Sequence, residues 1–195
     1  TSSNDGGGIY LYNANVVISN STIINNTGSN GGGIYSLGSD FTILGSEISN
    51  NSTSVQNDAS GGGIYMHSSN CNITNSTISS NTCAKEGGGI YAYGGSIIID
   101  STNIINNNTN IADNPDQPHG GGIHSNMTDI NISNSNISFN VSGRGGGLDI
   151  NSNDATPNTL IINNTLIANN LATEYGGGGI SFNASDPTIE YITIA

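Results

Sequence analysis

Residues 31–51 read GGGIYSLGSDFTILGSEISNN, and residues 61–81 read GGGIYMHSSNCNITNSTISSN. Take the first glycine of each stretch as position 0. The two then agree in type at position 3 (Ile34, Ile64), position 4 (Tyr35, Tyr65), position 12 (Ile43, Ile73), position 15 (Ser46, Ser76), position 17 (Ile48, Ile78) and position 20 (Asn51, Asn81). The same frame opens at Gly6, Gly31, Gly61, Gly87, Gly120, Gly145 and Gly177, at intervals of 25, 30, 26, 33, 25 and 32 residues. A minimum near 25 with longer variants means a fixed unit that carries loop insertions.

Within each unit the apolar positions alternate. Position 3 is Ile9, Ile34, Ile64, Ile90, Ile123, Leu148 and Ile180. Positions 10 and 12 pair Val16 with Ile18, Phe41 with Ile43, Cys71 with Ile73, Ile97 with Ile99 and Ile130 with Ile132. Position 17 is Ile23, Ile48, Ile78, Ile104 and Ile137. The sixth unit rejoins the frame, with Leu160, Ile162, Thr165, Ile167 and Asn170, after an insertion in NSNDATPN; the seventh fits poorly beyond Ile180. Period two and Ile-rich runs specify strands. Position 14 (Asn20, Gly45, Asn75, Ser101, Asn134, Asn164) holds residues that tolerate a left-handed backbone, which places a tight corner there.

The expected fold is all-β: a right-handed parallel β-helix of about seven rungs, three short strands per rung. At about 4.8 Å per rung it extends roughly 34 Å. Residues 1–195 form one solenoid domain. Its termini, TSSND and YITIA, join in frame, so the chain reads as an excerpt of a longer solenoid or as a subunit that stacks end to end into a filament. Asn26, Asn51, Asn81, Asn107, Asn140 and Asn170 are expected to stack as a ladder of amide hydrogen bonds. The insertions STSVQNDAS, TNIADNPDQPH and LATEY all fall after position 20, on one edge of the solenoid.

Composition narrows the function. The chain has 195 residues, 28 of them Gly, with only 8% charged, and its net charge is −12 with two basic residues, Lys85 and Arg144. Nucleic-acid binding needs basic groups to displace counterions from phosphates, so that class is excluded. No apolar run has transmembrane length. The two cysteines, Cys71 and Cys83, are no disulfide framework, and whether they are bridged is open.

The pairing of GGG-aliphatic (6–9, 31–34, 61–64, 87–90, 120–123) with Ile-x-x-Asn (23–26, 48–51, 78–81, 104–107, 137–140, 167–170) resembles the repeat of the polymorphic outer-membrane protein family of surface autotransporter adhesins. That family usually has Phe where this chain has Ile. The resemblance implies an extracellular, cell-surface β-helix with an adhesive role. The fold class also includes pectin and pectate lyases and polygalacturonases, whose chemistry must be sought at a site and not in the fold.

A lyase-like site needs a basic proton abstractor beside a carboxylate-bound calcium. Lys85 and Arg144 are read as loop-edge residues two rungs apart, away from any acid cluster. Glycoside hydrolysis needs two facing carboxylates. Asp149 is the only acid read as outward on a first strand, and Asp113 and Asp116 lie in a Pro-containing loop. Position 4 runs Tyr10, Tyr35, Tyr65, Tyr91, His124, Asp149, Ser181. A catalytic triad needs His between Ser and the acid, whereas here Asp149 is in the middle. No metal-ligand spacing is present, and no cofactor is implied.

The expected role is therefore structural and adhesive: a fibre subunit or adhesin stalk, not an enzyme. A glycan-binding module using Tyr10, Tyr35, Tyr65 and Tyr91, and a polysaccharide lyase or hydrolase, are the alternatives. Sequons make Asn20, Asn25, Asn50, Asn75 and Asn107 candidates for glycosylation in a secreted protein.

Overall fold

The computed structural model describes residues 5–54, 59–109, 118–152, 158–183 and 186–195. All regular structure among them is β, and every strand pair is parallel. The first strands of the units stack in the order Ile9–Tyr12, Ile34–Leu37, Ile64–Thr74, Ile90–Asp100, Ile123–Asn126, Leu148–Asn151 and Ile180–Asn183. In Ile64–Thr74 and Ile90–Asp100 the first and second strands run together as one. The third strands, Thr22–Ile24 through Thr193–Ile194, form a separate seven-stranded sheet.

Register follows the repeat without slippage. Ile34 faces Ile64, Ile73 faces Ile99, and Ile78 faces Ile104. The sixth unit pairs as its sequence frame requires, Ile130 with Leu160 and Ile132 with Ile162. The seventh continues the frame where the sequence had obscured it, with Leu160 opposite Pro187, Ile162 opposite Ile189 and Ile167 opposite Ile194.

A further ladder follows the asparagine position. Thr27–Gly28 pairs with Ser52–Thr53 and Val141–Ser142 with Leu171–Ala172, and single bridges through Thr82 and Asn108 connect the two. Of these, Ser52–Thr53 and Leu171–Ala172 fall in stretches expected to be edge-loop insertions. Their side chains carry no apolar alternation, so nothing in the pattern marks them as strand.

The core is a bundle of parallel aliphatic columns. Ile34, Ile64, Ile90, Ile123 and Leu148 are fully buried, as are Ile43, Ile73, Ile99, Ile132 and Ile162, and Ile48, Ile78, Ile104, Ile137 and Ile167. Burying each side chain contributes roughly 1.5–3 kcal/mol. Cys71 and Cys83 are both buried and free; the Cys83 thiol donates to the Glu86 carbonyl at 3.2 Å.

The corners are left-handed. Position 14 has φ of 47° at Asn20, 55° at Gly45, 51° at Asn75 and 49° at Asn134. A second left-handed column occupies position 19: Asn25 (58°), Asn50 (54°), Ser80 (54°), Asn106 (57°), Phe139 (58°) and Asn169 (55°). It turns the chain just before the asparagine ladder.

That ladder is continuous. From Asn51 to Asn170 each carboxamide oxygen accepts two hydrogen bonds from the preceding asparagine, one from its backbone N–H and one from its Nδ2, as in Asn51 to Asn81 (3.0 and 3.1 Å) and Asn81 to Asn107 (both 3.0 Å). The second Nδ2 proton goes to an isoleucine carbonyl of the previous third strand, as from Asn107 to Ile78 at 3.0 Å. Close approach of the third glycine makes room for this: a Cβ on Gly33 would stand 2.6 Å from the Gly63 carbonyl oxygen and 3.0 Å from Asn51 Nδ2. A hydroxyl ladder runs in parallel, with the backbone N–H of Ser21, Ser46, Ser76 and Thr102 each donating to the next rung's Ser or Thr oxygen.

Candidate functional site

Position 4 of the first strand begins as an aromatic column. Tyr10, Tyr35, Tyr65 and Tyr91 stack face to face, with centroids 5.1, 4.9 and 4.8 Å apart and planes within 15°. The spacing is that of neighbouring strands, so the rungs themselves impose it. Tyr35 and Tyr65 therefore have both ring faces covered by neighbouring rings. Burial, with Asp5 nearby, pushes the Tyr35 phenol up to about 12. Tyr93 stacks on His67 beside this column, at 4.9 Å.

At His124 the column changes character. In-register pairing places His124 against Tyr91, Asp149 against His124 and Ser181 against Asp149. The His124 ring continues the stack over Tyr91 at 5.6 Å. Asp149 was expected to face outward, yet its exposure is 0%. The cause is a second column, one residue before each glycine triplet, where Glu86, His119 and Arg144 are bridged in parallel. His119 and Arg144 fold over Asp149 and close it off.

Three side chains converge on this carboxylate. His119 Nδ1 is 2.9 Å and His124 Nδ1 3.1 Å from Asp149 Oδ2, while Arg144 Nε is 2.9 Å from Oδ1. Burial alone would raise the Asp149 pKa. The hydrogen bonds from His119 and His124, with the charges of His124 and Arg144, outweigh it and hold the carboxyl well below the usual carboxylate range. An ionised carboxylate can only accept, so both histidines donate an Nδ1 proton to Oδ2.

Arg144 aims its Nε–H at Ser181 Oγ, 3.0 Å away. Asp149 Oδ1 is thus held by charge but has no hydrogen-bond donor, although it is buried. Asn151 Nδ2 adds a longer contact to Oδ2 at 3.3 Å, and Tyr175 roofs the cluster, its ring 5.9 Å from the Arg144 guanidinium carbon and edge-on to His119 at 6.4 Å.

Two sequence expectations are corrected here. Arg144 is not remote from acids, because the returning strand brings Asp149 of its own rung beneath it. Asn107 is no glycan acceptor, since it is fully buried and its amide is committed to Ile78 and Asn140. Asn20, Asn25, Asn50 and Asn75 are exposed, each at a left-handed corner. Asp113 and Asp116 lie outside the described residues.

His119 escaped the sequence reading altogether. It ends the longest insertion, and only the column of residues preceding the triplets would have pointed to it. The donor atoms of His119, His124 and Asp149 lie within 4.8 Å of one another, the one such grouping among the described residues. Among those residues no helix is long and apolar enough to cross a membrane.

A family model of the right-handed β-helix region matches residues 1–165. No curated protein and no solved structure matches the chain.

Proposed function

This chain belongs to the right-handed β-helix family, and on that premise we propose that it serves as a structural and adhesive solenoid on the cell exterior, a stalk or fibre segment whose work is mechanical and not catalytic. The observation that carries this reading is the unbroken register of its longitudinal ladders. Aliphatic, asparagine, hydroxyl and tyrosine columns each run rung to rung with one-to-one pairing. Bending such a rod strains all of these columns together, so it resists bending.

Two further features support an exterior setting. The net charge of −12 keeps neighbouring rods apart, and the exposed corner asparagines Asn20, Asn25, Asn50 and Asn75 offer glycan acceptors. Arg144, whose charge is held against Asp149, is poorly suited to abstract a proton as a lyase base.

Immunogold labelling of intact cells with an antibody to this chain tests the reading. Surface label without permeabilisation is the expected result; label that appears only after permeabilisation overturns it. Incubation with acidic polysaccharides and calcium is expected to release no unsaturated or reducing ends, and such products would replace the mechanical role with a catalytic one.

A further inference from the structure

We propose that His119, His124 and Asp149 form a binding site for a divalent transition-metal ion of the zinc class. Two imidazoles and one carboxylate are a donor set suited to zinc, copper or nickel, and unlike the all-oxygen sets that calcium and magnesium prefer. Ligands held about 2.0–2.1 Å from one ion stand roughly 2.9–3.4 Å apart. Two edges of the present triangle, 2.9 Å from His119 Nδ1 and 3.1 Å from His124 Nδ1 to Asp149 Oδ2, already fall there or nearly so. All three donor atoms lie within 4.8 Å, so a small rotation of one imidazole closes the third edge.

The hydrogen-bonding pattern is an inefficient one for a purely structural cluster. Both histidines spend the same nitrogen on the same oxygen, while Asp149 Oδ1, fully buried, is left without a donor. An ion on Oδ2 takes the place of two N–H protons there, and Arg144 against Oδ1 becomes the outer partner that orients the carboxylate. The positive charge of Arg144 opposes the ion and moderates its affinity.

Access and composition agree. His124 is 3% exposed and His119 20%, so solvent reaches the cluster at His119. Only three histidines occur in 195 residues, and two of them meet here. No spacing motif announces the site because its ligands come from the start of one rung, its first strand and the first strand of the next.

The test is calorimetric titration of the full chain with zinc chloride in a non-coordinating buffer at neutral pH. The expected result is one equivalent bound, with saturation at a one-to-one ratio. His119→Asn is expected to weaken binding by about tenfold or more, and His124→Asn likewise, while His67→Asn leaves it unchanged. Cobalt should give a d–d absorption band that His119→Asn removes. His119 is the most exposed ligand, so its variant decides if the His124 variant fails to fold. No saturable zinc binding, or binding equal in wild type and His119→Asn, overturns the proposal; calcium matching zinc would mark diffuse binding to surface acids and overturn it as well.

Discussion

The carboxamide oxygen of Asn140 accepts two hydrogen bonds from Asn107, one from its backbone N–H at 2.9 Å and one from Nδ2 at 3.0 Å. Asn107 in turn accepts the same pair from Asn81 and donates to the Ile78 carbonyl. One side chain therefore satisfies donors and acceptors on three rungs.

Replacing it should be costly. Asn107→Ala orphans the Asn81 amides and the Ile78 carbonyl, at about 1–3 kcal/mol for each buried group. Asn107→Asp, nearly isosteric, sets a carboxylate oxygen against the acceptors on Ile78 and Asn140 and should be at least as damaging. Chemical denaturation of both variants measures this. A loss confined to a few tenths of a kcal/mol would show that the ladder is not cooperative with the rungs.

Phe139 is an exposed bulky residue at φ 58°, in a column otherwise filled by Asn and Ser. The left-handed region is unfavourable for such a side chain. Phe139→Asn should raise stability by about 0.5–1 kcal/mol, on the scale of other substitutions that match residue to backbone. The melting temperature of the variant checks this, and no increase would mean that the Phe139 ring makes compensating contacts.

The paired strands separate core from surface at single-residue resolution. Ile104→Ala, in a fully buried column, should cost about 2–5 kcal/mol. Ile98→Thr, 46% exposed on the adjacent sheet, should change stability by about 0.5 kcal/mol or less. Similar losses at both positions would contradict the strand register.

Asp100 accepts from Ser133 Oγ and Asn134 Nδ2, both at 2.7 Å, and from Ser101 Oγ at 3.0 Å, and these bonds lower its carboxyl from the ordinary value. The folded pKa lies below the unfolded one, about 3.9. Its contribution is therefore complete above that pH and fades as pH falls through the folded value. Thermal melts from pH 6 to pH 2 should show the wild type losing its advantage over Asp100→Asn toward the acid end. A constant difference across that range would rule out the linkage.

Burial pushes the Cys83 thiol up to about 12 and that of Cys71 well above its ordinary value. Neither should react with an alkylating reagent in the native chain at neutral pH. Denaturant should expose two titratable thiols, and finding none would show a disulfide that the structure lacks.

The periodic part of this molecule was legible because it repeats. Seven copies of Gly-Gly-Gly-aliphatic and six of Ile-x-x-Asn average out local ambiguity, so strand register followed from alignment alone. The second corner column left a trace that was not read: the doublets Asn25–Asn26, Asn50–Asn51, Asn106–Asn107 and Asn169–Asn170, whose first member turns and whose second joins or extends the ladder. The polar cluster was hidden for a different reason. Asp149 is outward by alternation, and only the paths of His119 and Arg144, each set by the connection before its rung, determine that it is covered. Alternation reports which face of a sheet a residue occupies, and not what later folds across that face.

A lattice of near-identical rungs carries an assembly hazard. A segment displaced by one whole repeat meets almost the same neighbours, so pairing energy alone barely distinguishes the correct partner from the adjacent one. Two irregularities lift this degeneracy. The connecting lengths differ, with repeats of 25 to 33 residues, and a shifted rung would separate His124 from Asp149 and leave a buried carboxylate without its partners. The interruption of the tyrosine column thus serves as an index mark, telling otherwise interchangeable rungs where in the stack they belong.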